Sequence, residues 1–292
     1  MRLAAAAYPL DPPQSPKAWA DKLSAWVAAG AATGADLLVF PEYAAMELAC
    51  LAGPAAAADP EAALRAVADR LGAADALHAE LAARHGVHIL TGSAPAFDAG
   101  ARPVNRARLF APGGARGHQD KLIPTPYERD DWGIAAGRGL RLFDTALGPL
   151  GVLICYDAEF PLPARALAEA GVAVIAIPSC TEGRAGAERV RIAARARALE
   201  NQCITVNAPL IGAAPWCPPV ADNTGRAGIY GPPDLGFPED GILAEGGWDS
   251  PGWVAADIDL AAIARVREAG HVRGFAHWPE QTAAPPTAMS LR

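Results

Sequence analysis

Three chemically reactive side chains each mark the end of a predicted strand. Cys155 ends the run 151–154, Glu42 comes just after the run 36–40, and Lys121 follows a predicted hairpin. A cysteine beside a general base is a nucleophile arrangement, and a nearby lysine lowers the thiol pKa and stabilises a developing oxyanion. Because open α/β sheets present reactive groups at strand ends, the three residues together predict catalysis by a thiol.

Each of these residues has a simpler interpretation when it is taken alone. A cysteine at a strand end is more often a packed thiol, since free cysteine is among the most buried residue types. An isolated glutamate or lysine is usually a solvated surface residue. The position of Glu42 directly after Val39-Phe40-Pro41 favours a crevice, where an unpaired carboxylate is costly. The coincidence of all three residues in one chain of 292 residues favours the catalytic interpretation.

The elements that must position these residues alternate between strand and helix. Strands are predicted at 3–8, 36–40, 87–91, 150–155, 172–177, 203–208 and 253–258, and helices at 16–32, 60–85, 162–170, 186–201 and 260–269. A hairpin is predicted between Arg106 and Lys121. This alternation predicts an α/β fold in which helices cover the sheets, within one domain. The Pro- and Gly-rich segment 215–252 predicts long loops of the functional or interfacial kind.

Three short motifs occur together in the chain: Phe40-Pro41-Glu42, His118-Gln119-Asp120-Lys121, and Cys155-Tyr156-Asp157 with Phe160-Pro161 after it. In this order and at this spacing they resemble the nitrilase, or carbon-nitrogen hydrolase, superfamily, and the resemblance runs over nearly the whole chain. It implies a four-layer αββα sandwich, usually paired across a dimer interface into eight layers. We expect one carbon-nitrogen hydrolase domain over residues 1–273. The segment 274–292 shows no clear pattern, and we expect it to be a dimer arm or a disordered tail.

The resemblance implies a Glu-Lys-Cys catalytic triad. Glu42 matches the general base, Lys121 the group that stabilises the tetrahedral intermediate, and Cys155 the nucleophile. Glu128 is the best match to a second glutamate of the family. The implied activity is that of a cofactor-free amidase, which cleaves a non-peptide C–N bond of a small linear amide through a thioester. Nitrile hydrolysis and acyl transfer use the same residues and stay open, as does a catalytically silent scaffold on this fold.

The substrate-binding side chains are expected close to the nucleophile. The candidates are Tyr127, Trp132, Tyr156, Glu159, Cys180 and Thr181. Many family members carry an arginine four residues after the nucleophile, where this chain has Glu159. A carboxylate at the mouth of the site repels anions, so we expect neutral or cationic substrates. The run 124–134 resembles a poorly characterised subgroup, some of whose members carry an extra acetyltransferase domain, and we expect no such domain within these 292 residues.

Composition limits the partners and the location. The formal net charge of −7 argues against a nucleic-acid partner, and no apolar run reaches membrane-spanning length. Five cysteines without metal-ligand spacing indicate reduced thiols in the cytoplasm. His85 and His88 lack carboxylate companions, so no metal site is expected. We therefore expect a cytoplasmic enzyme without metal or cofactor, and the resemblance implies a homodimer or higher homo-oligomer.

Overall fold

The computed structural model describes residues 1–98, 102–281 and 286–290. The strands are β1 (Arg2–Pro9), β2 (Leu37–Val39), β3 (His88–Ala96), β4 (Val104–Phe110), β5 (Arg116–Asp120), β6 (Phe143–Thr145), β7 (Gly148–Val152), β8 (Val174–Ser179), β9 (Ile204–Ala213), β10 (Asp222–Asn223), β11 (Gly228–Tyr230), β12 (Ile242–Glu245) and β13 (Gly252–Asp257). The α-helices are α1 (Pro16–Ala32), α2 (Pro54–Ala58), α3 (Pro60–Ala68), α4 (Leu71–His85), α5 (Pro161–Glu169), α6 (Arg184–Asn201), α7 (Leu260–Ala269) and α8 (Gly274–His277). Four 3₁₀ helices occupy Ala44–Ala52, Cys155–Glu159, Pro218–Val220 and Trp278–Glu280 of the described chain, and one π-helical turn occupies Tyr127–Asp131.

The strands form a mixed sheet with a weak seam in the middle. They are hydrogen-bonded in the order β5-β4-β3-β2-β1-β9-β8-β7-β6. Across the seam, β1 pairs with β9 at Tyr8 with Leu210 and at Pro9 with Ile211. The sheet therefore divides into two halves. The first contains β1 to β5 with β13, and the second contains β6 to β9 with β11 and β12.

The two half-sheets face each other across an apolar core and carry helices on their outer faces. Leu37 and Leu90 of the first half line a small interior void together with Val152 and Val174 of the second. Helices α1 and α4 pack on the first half, and α5 and α6 pack on the second. The α/β class and the four-layer αββα sandwich expected from the sequence are therefore confirmed, whereas the eight-layer dimer stays a prediction.

The alanine-rich strand β1 is buried on both faces. Leu3, Ala5 and Ala7 belong to the core between the half-sheets, whereas Ala4 and Ala6 belong to the core under the helices. Successive side chains of a strand point to opposite faces, so the alternation assigns the two sets. The small alanine side chains let both neighbouring layers approach the strand closely.

Helix α1 shows how the outer layer is specified. Ser15 caps its N-terminus, where Oγ accepts a hydrogen bond from the backbone N–H of Ala18 at 3.1 Å. The buried residues Trp19, Leu23 and Val27 recur at helical spacing and form the face that packs on the sheet. Among the described residues, no helix combines the length and the apolar character needed to cross a lipid bilayer.

Two predictions of local structure are wrong. The strand predicted at 150–155 ends at Val152, and Cys155 instead begins a 3₁₀ helix. The backbone N–H of Leu153 still donates to the carbonyl oxygen of Ala176 in β8 at 2.9 Å, and the pairing ends there. Leu153 and Ile154 are apolar because both are fully buried. The segment 215–252, predicted as loops, contains β10, β11 and β12, and β11 extends the second half-sheet beside β9. These strands have only two to four residues, too few for a periodic pattern.

The first part of the predicted C-terminal tail packs against its own chain. Helix α8 (Gly274–His277) contacts α6, and the backbone N–H of Phe275 donates to Gln202 Oε1 at 3.1 Å. Arg165 of α5 donates to the carbonyl oxygen of Phe275 at 3.0 Å. Residues 282–285 and 291–292 of the predicted tail lie outside the described residues. The domain boundary after residue 273 and the dimer arm stay predictions.

Gly92 of β3 lets this strand pass close to the loop that carries Glu42. Its φ is +74°, in the left-handed region where glycine has no Cβ penalty. A Cβ at this position would lie 1.8 Å from the carbonyl oxygen of Pro41. The neighbouring Ser93 donates its backbone N–H to the same oxygen at 3.3 Å. A side chain at position 92 would therefore displace the residue directly before Glu42.

We expect Gly92→Ala to lower the free energy of unfolding by about 2–5 kcal/mol, because it adds a clash with main-chain atoms to the backbone penalty of positive φ. Gly86→Ala is the matched control, since Gly86 has φ +66° and an added Cβ would meet nothing within 4 Å. It should cost about 1–2 kcal/mol from the backbone alone. Urea unfolding measures both variants. Equal losses would contradict the role given to the Pro41 contact.

Candidate active site

The segment after β7 holds Cys155 in a strained turn. Its φ is +50°, in the left-handed region that residues with a side chain rarely adopt. Such strain costs on the order of 1–3 kcal/mol and persists only where the surrounding structure imposes it. The residue is 4% exposed, and its Sγ lies 3.6 Å from the carbonyl oxygen of Cys180. The thiol therefore has one defined position, at the wall of a pocket.

Asp157 ties this turn to the segment that follows Lys121. Its fully buried carboxylate accepts hydrogen bonds from the backbone N–H groups of Leu122 at 3.1 Å and Ile123 at 2.8 Å. It also accepts from the backbone N–H of Ile154 at 3.2 Å. The Asp157 side chain thus holds together the segment after Lys121 and the segment that carries Cys155. Sequence reasoning did not predict this role for Asp157.

Glu42 lies beyond the end of β2 and is 1% exposed. Its Oε1 accepts a hydrogen bond from Nζ of Lys121 at 2.8 Å, and its Oε2 accepts one from the backbone N–H of Cys180 at 2.9 Å. Cys180 follows β8, which runs parallel to β7. The carboxylate is therefore oriented by groups from both half-sheets.

Lys121 and Glu128 complete a buried charged cluster. Lys121 follows β5, the second strand of the confirmed hairpin, and its Nζ lies 2.6 Å from Glu128 Oε2. Glu128 sits in the π-helical turn Tyr127–Asp131, a local geometry that is frequent at functional sites. It also accepts hydrogen bonds from the Tyr43 hydroxyl at 2.6 Å and the Thr125 backbone N–H at 2.7 Å. The four residues assigned from the resemblance are thus brought together.

Burial and pairing set the ionisation of the cluster. Burial raises the pKa of Glu42 to about 7, although the charge of Lys121 opposes this. Burial also raises the pKa of the Cys155 thiol, and the nearby Glu42 raises it further. Burial disfavours the charged forms of Lys121 and Glu128. The charges of Glu42 and Glu128 nevertheless hold the pKa of Lys121 above its usual value. The charge and hydrogen bond of Lys121 hold the pKa of Glu128 below its usual value. The arrangement can therefore move a proton from the thiol to Glu42 beside a fixed positive charge.

A pocket of about 770 Å³ opens onto these side chains. Its wall contains Glu42, Lys121, Glu128 and Cys155, and also all six side chains predicted to bind substrate: Tyr127, Trp132, Tyr156, Glu159, Cys180 and Thr181. Trp132 is 2% exposed and packs against Tyr43 with the ring planes tilted by 46°, whereas Tyr127 is 44% exposed. The structure thus places the candidates around one cavity, and their roles in binding stay a prediction.

The mouth of the pocket carries more acidic than basic side chains. Glu159 lies 3.4 Å from Nε of Arg189, so its charge is partly offset. Glu182 and Asp222 also line the pocket, and no basic group of the described chain lies within 4.0 Å of their carboxylates. Sequence reasoning missed both: Glu182 lies in the short loop before α6 and Asp222 in the two-residue strand β10, and neither segment is long enough to show a periodic pattern.

Two further side chains at the site escaped sequence reasoning. Tyr43 directly follows Glu42 and has φ +59°, another strained position. Asn105 of β4 donates hydrogen bonds to both glutamates of the cluster. The available signal for Asn105 was a polar residue on the strand face that otherwise carries Ala107 and Leu109, since buried polar groups need partners.

Within the described ranges, no three His, Cys, Asp or Glu side chains are grouped as a metal ion would require.

The comparison with protein families decides the assignment. The model of the carbon-nitrogen hydrolase family matches residues 2–268. The chain belongs to the carbon-nitrogen hydrolase family. This carbon-nitrogen hydrolase is 35% identical over 255 residues to the "probable hydrolase YhcX" of Bacillus subtilis (strain 168), covering 87% of this chain and 49% of that protein.

A second relative is the "deaminated glutathione amidase" of Yersinia enterocolitica. It is 32% identical over 145 residues, which cover 46% of this hydrolase and 50% of that protein. The matches therefore span about half the length of these two relatives. Family membership follows from the comparisons.

Solved structures support the fold. An amidase from Nesterenkonia sp. AN1, with acrylamide added at its active-site cysteine, is 21% identical with a TM-score of 0.69 and covers 91% of this chain and 96% of that chain. Nit3 of Saccharomyces cerevisiae, a member of branch 10 of the nitrilase superfamily, is 20% identical with a TM-score of 0.67. The match covers 92% of this chain and 93% of that chain. At this identity the likeness shows that the hydrolase has the nitrilase fold.

We expect alkylation of Cys155 by iodoacetamide to rise with pH through about 7, where Glu42 loses its proton and becomes able to accept that of the thiol. Glu42→Gln should remove this inflection and slow alkylation by about 10²-fold at pH 8. Peptide mass spectrometry separates Cys155 from Cys50, whose thiol pKa of about 11 gives an internal reference in the same digest. An inflection near pH 7 that survives in Glu42→Gln would exclude Glu42 as the proton acceptor.

Proposed function

We propose that this carbon-nitrogen hydrolase is a cofactor-free thiol amidohydrolase, which cleaves a non-peptide C–N bond of a small amide through a Cys155 thioester. The observation that carries the proposal is the buried cluster of Glu42, Lys121 and Glu128 on the wall of the pocket that also contains the thiol. A base, a fixed positive charge and a nucleophile in one cavity are the parts that acyl transfer requires.

In the first half-reaction, Glu42 accepts the proton of Cys155 while Sγ attacks the carbonyl carbon of the amide. Nζ of Lys121 and a backbone N–H near Tyr156 stabilise the resulting oxyanion. The C–N bond then breaks, and the leaving nitrogen takes the proton from Glu42 and departs as ammonia or an amine. A thioester between the substrate acyl group and Sγ remains.

In the second half-reaction, water replaces the amine. Glu42 is favoured over Glu128 as the base, because its pKa of about 7 makes it the stronger acceptor, whereas the pKa of Glu128 is held below its usual value. Glu42 takes a proton from water, hydroxide adds to the thioester carbon, and the C–S bond breaks. The thiolate recovers the proton, and the carboxylic acid leaves. The function of Glu128 is then to keep Lys121 charged and in place.

The alternatives differ in what they require. Nitrile hydrolysis and acyl transfer to an amine use the same thiol and glutamate, so product analysis has to separate them. A silent scaffold predicts catalytic side chains that are displaced or blocked. The contacts of Glu42 and Lys121 and the open pocket beside Cys155 favour the enzyme over the scaffold.

The charges at the mouth support a preference among amides. Glu159 is partly offset by Arg189, while Glu182 and Asp222 leave the mouth negative. A negative rim lowers the local concentration of anionic substrates and raises that of cations. We therefore propose that the enzyme takes neutral or cationic amides in preference to amides that carry a free carboxylate.

The homodimer and the cytoplasmic location remain predictions. The face of α5 and α6 that points outward exposes Leu162, Ile192 and Leu199. Gel filtration with light scattering at several protein concentrations measures the oligomeric state directly.

The activity itself is tested by ammonia release from a panel of primary amides, ω-amides, carbamoyl amines and nitriles. We expect release from amides that falls by at least about 10³-fold in Cys155→Ala, since the nucleophile is lost. Hydroxylamine in the assay should divert product from acid to hydroxamate, because it captures the thioester. Faster release from nitriles than from amides would favour the nitrilase alternative. No release from any compound, with Cys155 no more reactive than Cys50, would favour the scaffold.

The charge preference is tested with two amides of equal length, one bearing an ammonium group and one a carboxylate. We expect Glu182→Gln to lower the ratio of kcat/KM for the cationic over the anionic amide by about 3–10-fold at low salt, because one surface charge is removed. The effect should shrink at high ionic strength. Glu159→Gln serves as the comparison. It should change the ratio less, because Arg189 already partly offsets the charge of Glu159. A carboxylate-bearing amide as the best substrate, unimproved by either variant, would refute the preference.

A further inference from the structure

Asn105 contacts three of the four residues of the charged site at once. Its Nδ2 donates to Glu42 Oε1 at 2.8 Å and to Glu128 Oε1 at 3.1 Å. Its backbone carbonyl oxygen accepts the backbone N–H of Lys121 at 2.8 Å. The residue is fully buried and does not line the pocket. It therefore lies behind the carboxylates and acts on them without touching a substrate.

We propose that Asn105 is a positioning residue, which holds the two carboxylates at a fixed spacing and stabilises the ionised form of Glu42. The proposal rests on the amidohydrolase function proposed above. Two carboxylates that share one lysine repel each other, and the two N–H bonds of one amide nitrogen counter this by donating to both. The planar amide also fixes their directions, because its hydrogen atoms cannot rotate as those of a hydroxyl or ammonium group can.

The unpaired end of the amide supports a functional reason for the residue. Oδ1 of Asn105 is buried and accepts no hydrogen bond from the described residues. A buried acceptor without a partner costs stability, so packing alone does not favour an asparagine there. The orientation of the amide is fixed by chemistry, because carboxylate oxygens accept and only the nitrogen can donate to them.

Asn201 offers a matched control far from the cluster. It is also fully buried, its Oδ1 also has no partner within the described chain, and its Nδ2 donates to the carbonyl oxygen of Arg197 at 3.1 Å. It lies at the end of α6 and does not line the pocket. A loss of activity that comes only from removing a buried amide should therefore appear in both positions.

The experiment compares Asn105→Leu and Asn105→Asp with Asn201→Leu. Leucine and aspartate keep the approximate size of asparagine; leucine donates no hydrogen bond, and aspartate donates none once it is ionised. We expect both variants at position 105 to lower kcat by about 10–100-fold with a smaller change in KM, as befits a lost hydrogen bond to a charged group. The acid limb of kcat/KM should move to higher pH, further for Asn105→Asp because it adds a like charge. The pH profile of Cys155 alkylation, which needs no substrate, should move in the same direction.

The outcomes separate this inference from the proposed function. Thermal unfolding and circular dichroism identify which variants are folded, and the folded ones are compared. Unmoved pH profiles in folded Asn105 variants, or equal losses of kcat in Asn201→Leu, would overturn the positioning role while leaving the amidase intact. Failure of both Asn105 variants to fold would also overturn it, in favour of a role in folding. A wild type that hydrolyses no amide would reject the function instead, and the alkylation profiles would still test Asn105.

Discussion

Lys121 lies between two buried carboxylates, and the site depends on this contact. Its Nζ is 2.8 Å from Glu42 and 2.6 Å from Glu128, and none of the three residues is more than 3% exposed. Buried charges are costly unless they are paired and hydrogen-bonded, and one lysine cannot neutralise two carboxylates. The excess negative charge is relieved because Glu42 keeps its proton up to about pH 7. The imbalance that costs stability thus gives Glu42 a pKa suited to base catalysis.

The fold holds this cluster by fixing the backbone around it. Cys155 and Tyr43 both have positive φ, and Gly92 permits a close contact with the residue before Glu42. Asp157 then connects the cysteine turn to the chain beyond Lys121 through three backbone N–H groups. These features are unfavourable or demanding on their own, and they persist because four packed layers surround them. The large apolar core therefore serves to hold a polar site in one conformation.

The sequence predicts the parts of this site whose signals are local. Glu42 follows the apolar strand β2, and Lys121 follows the β4–β5 hairpin, whose strand and turn residues are contiguous in the sequence. The companions of the cluster come from distant positions: Asn105 is 63 residues from Glu42, and Tyr43 is 85 residues from Glu128. No short-range pattern encodes such pairs. The apolar run before Cys155 led to a predicted strand that is too long. Buried residues and paired strand residues are both apolar, so the sequence does not distinguish them.

The two glutamates differ because their partners differ. Glu128 accepts hydrogen bonds from Lys121, Tyr43, Asn105 and the Thr125 backbone, which together favour its ionised form. Glu42 accepts hydrogen bonds from Lys121 and Asn105 at Oε1 and from the Cys180 backbone N–H at Oε2. With fewer donors and slightly deeper burial, Glu42 is the carboxylate that takes up the proton. Because the two interact through one lysine, a pH profile reports the titration of the pair, and a change at Asn105 or Tyr43 shifts both.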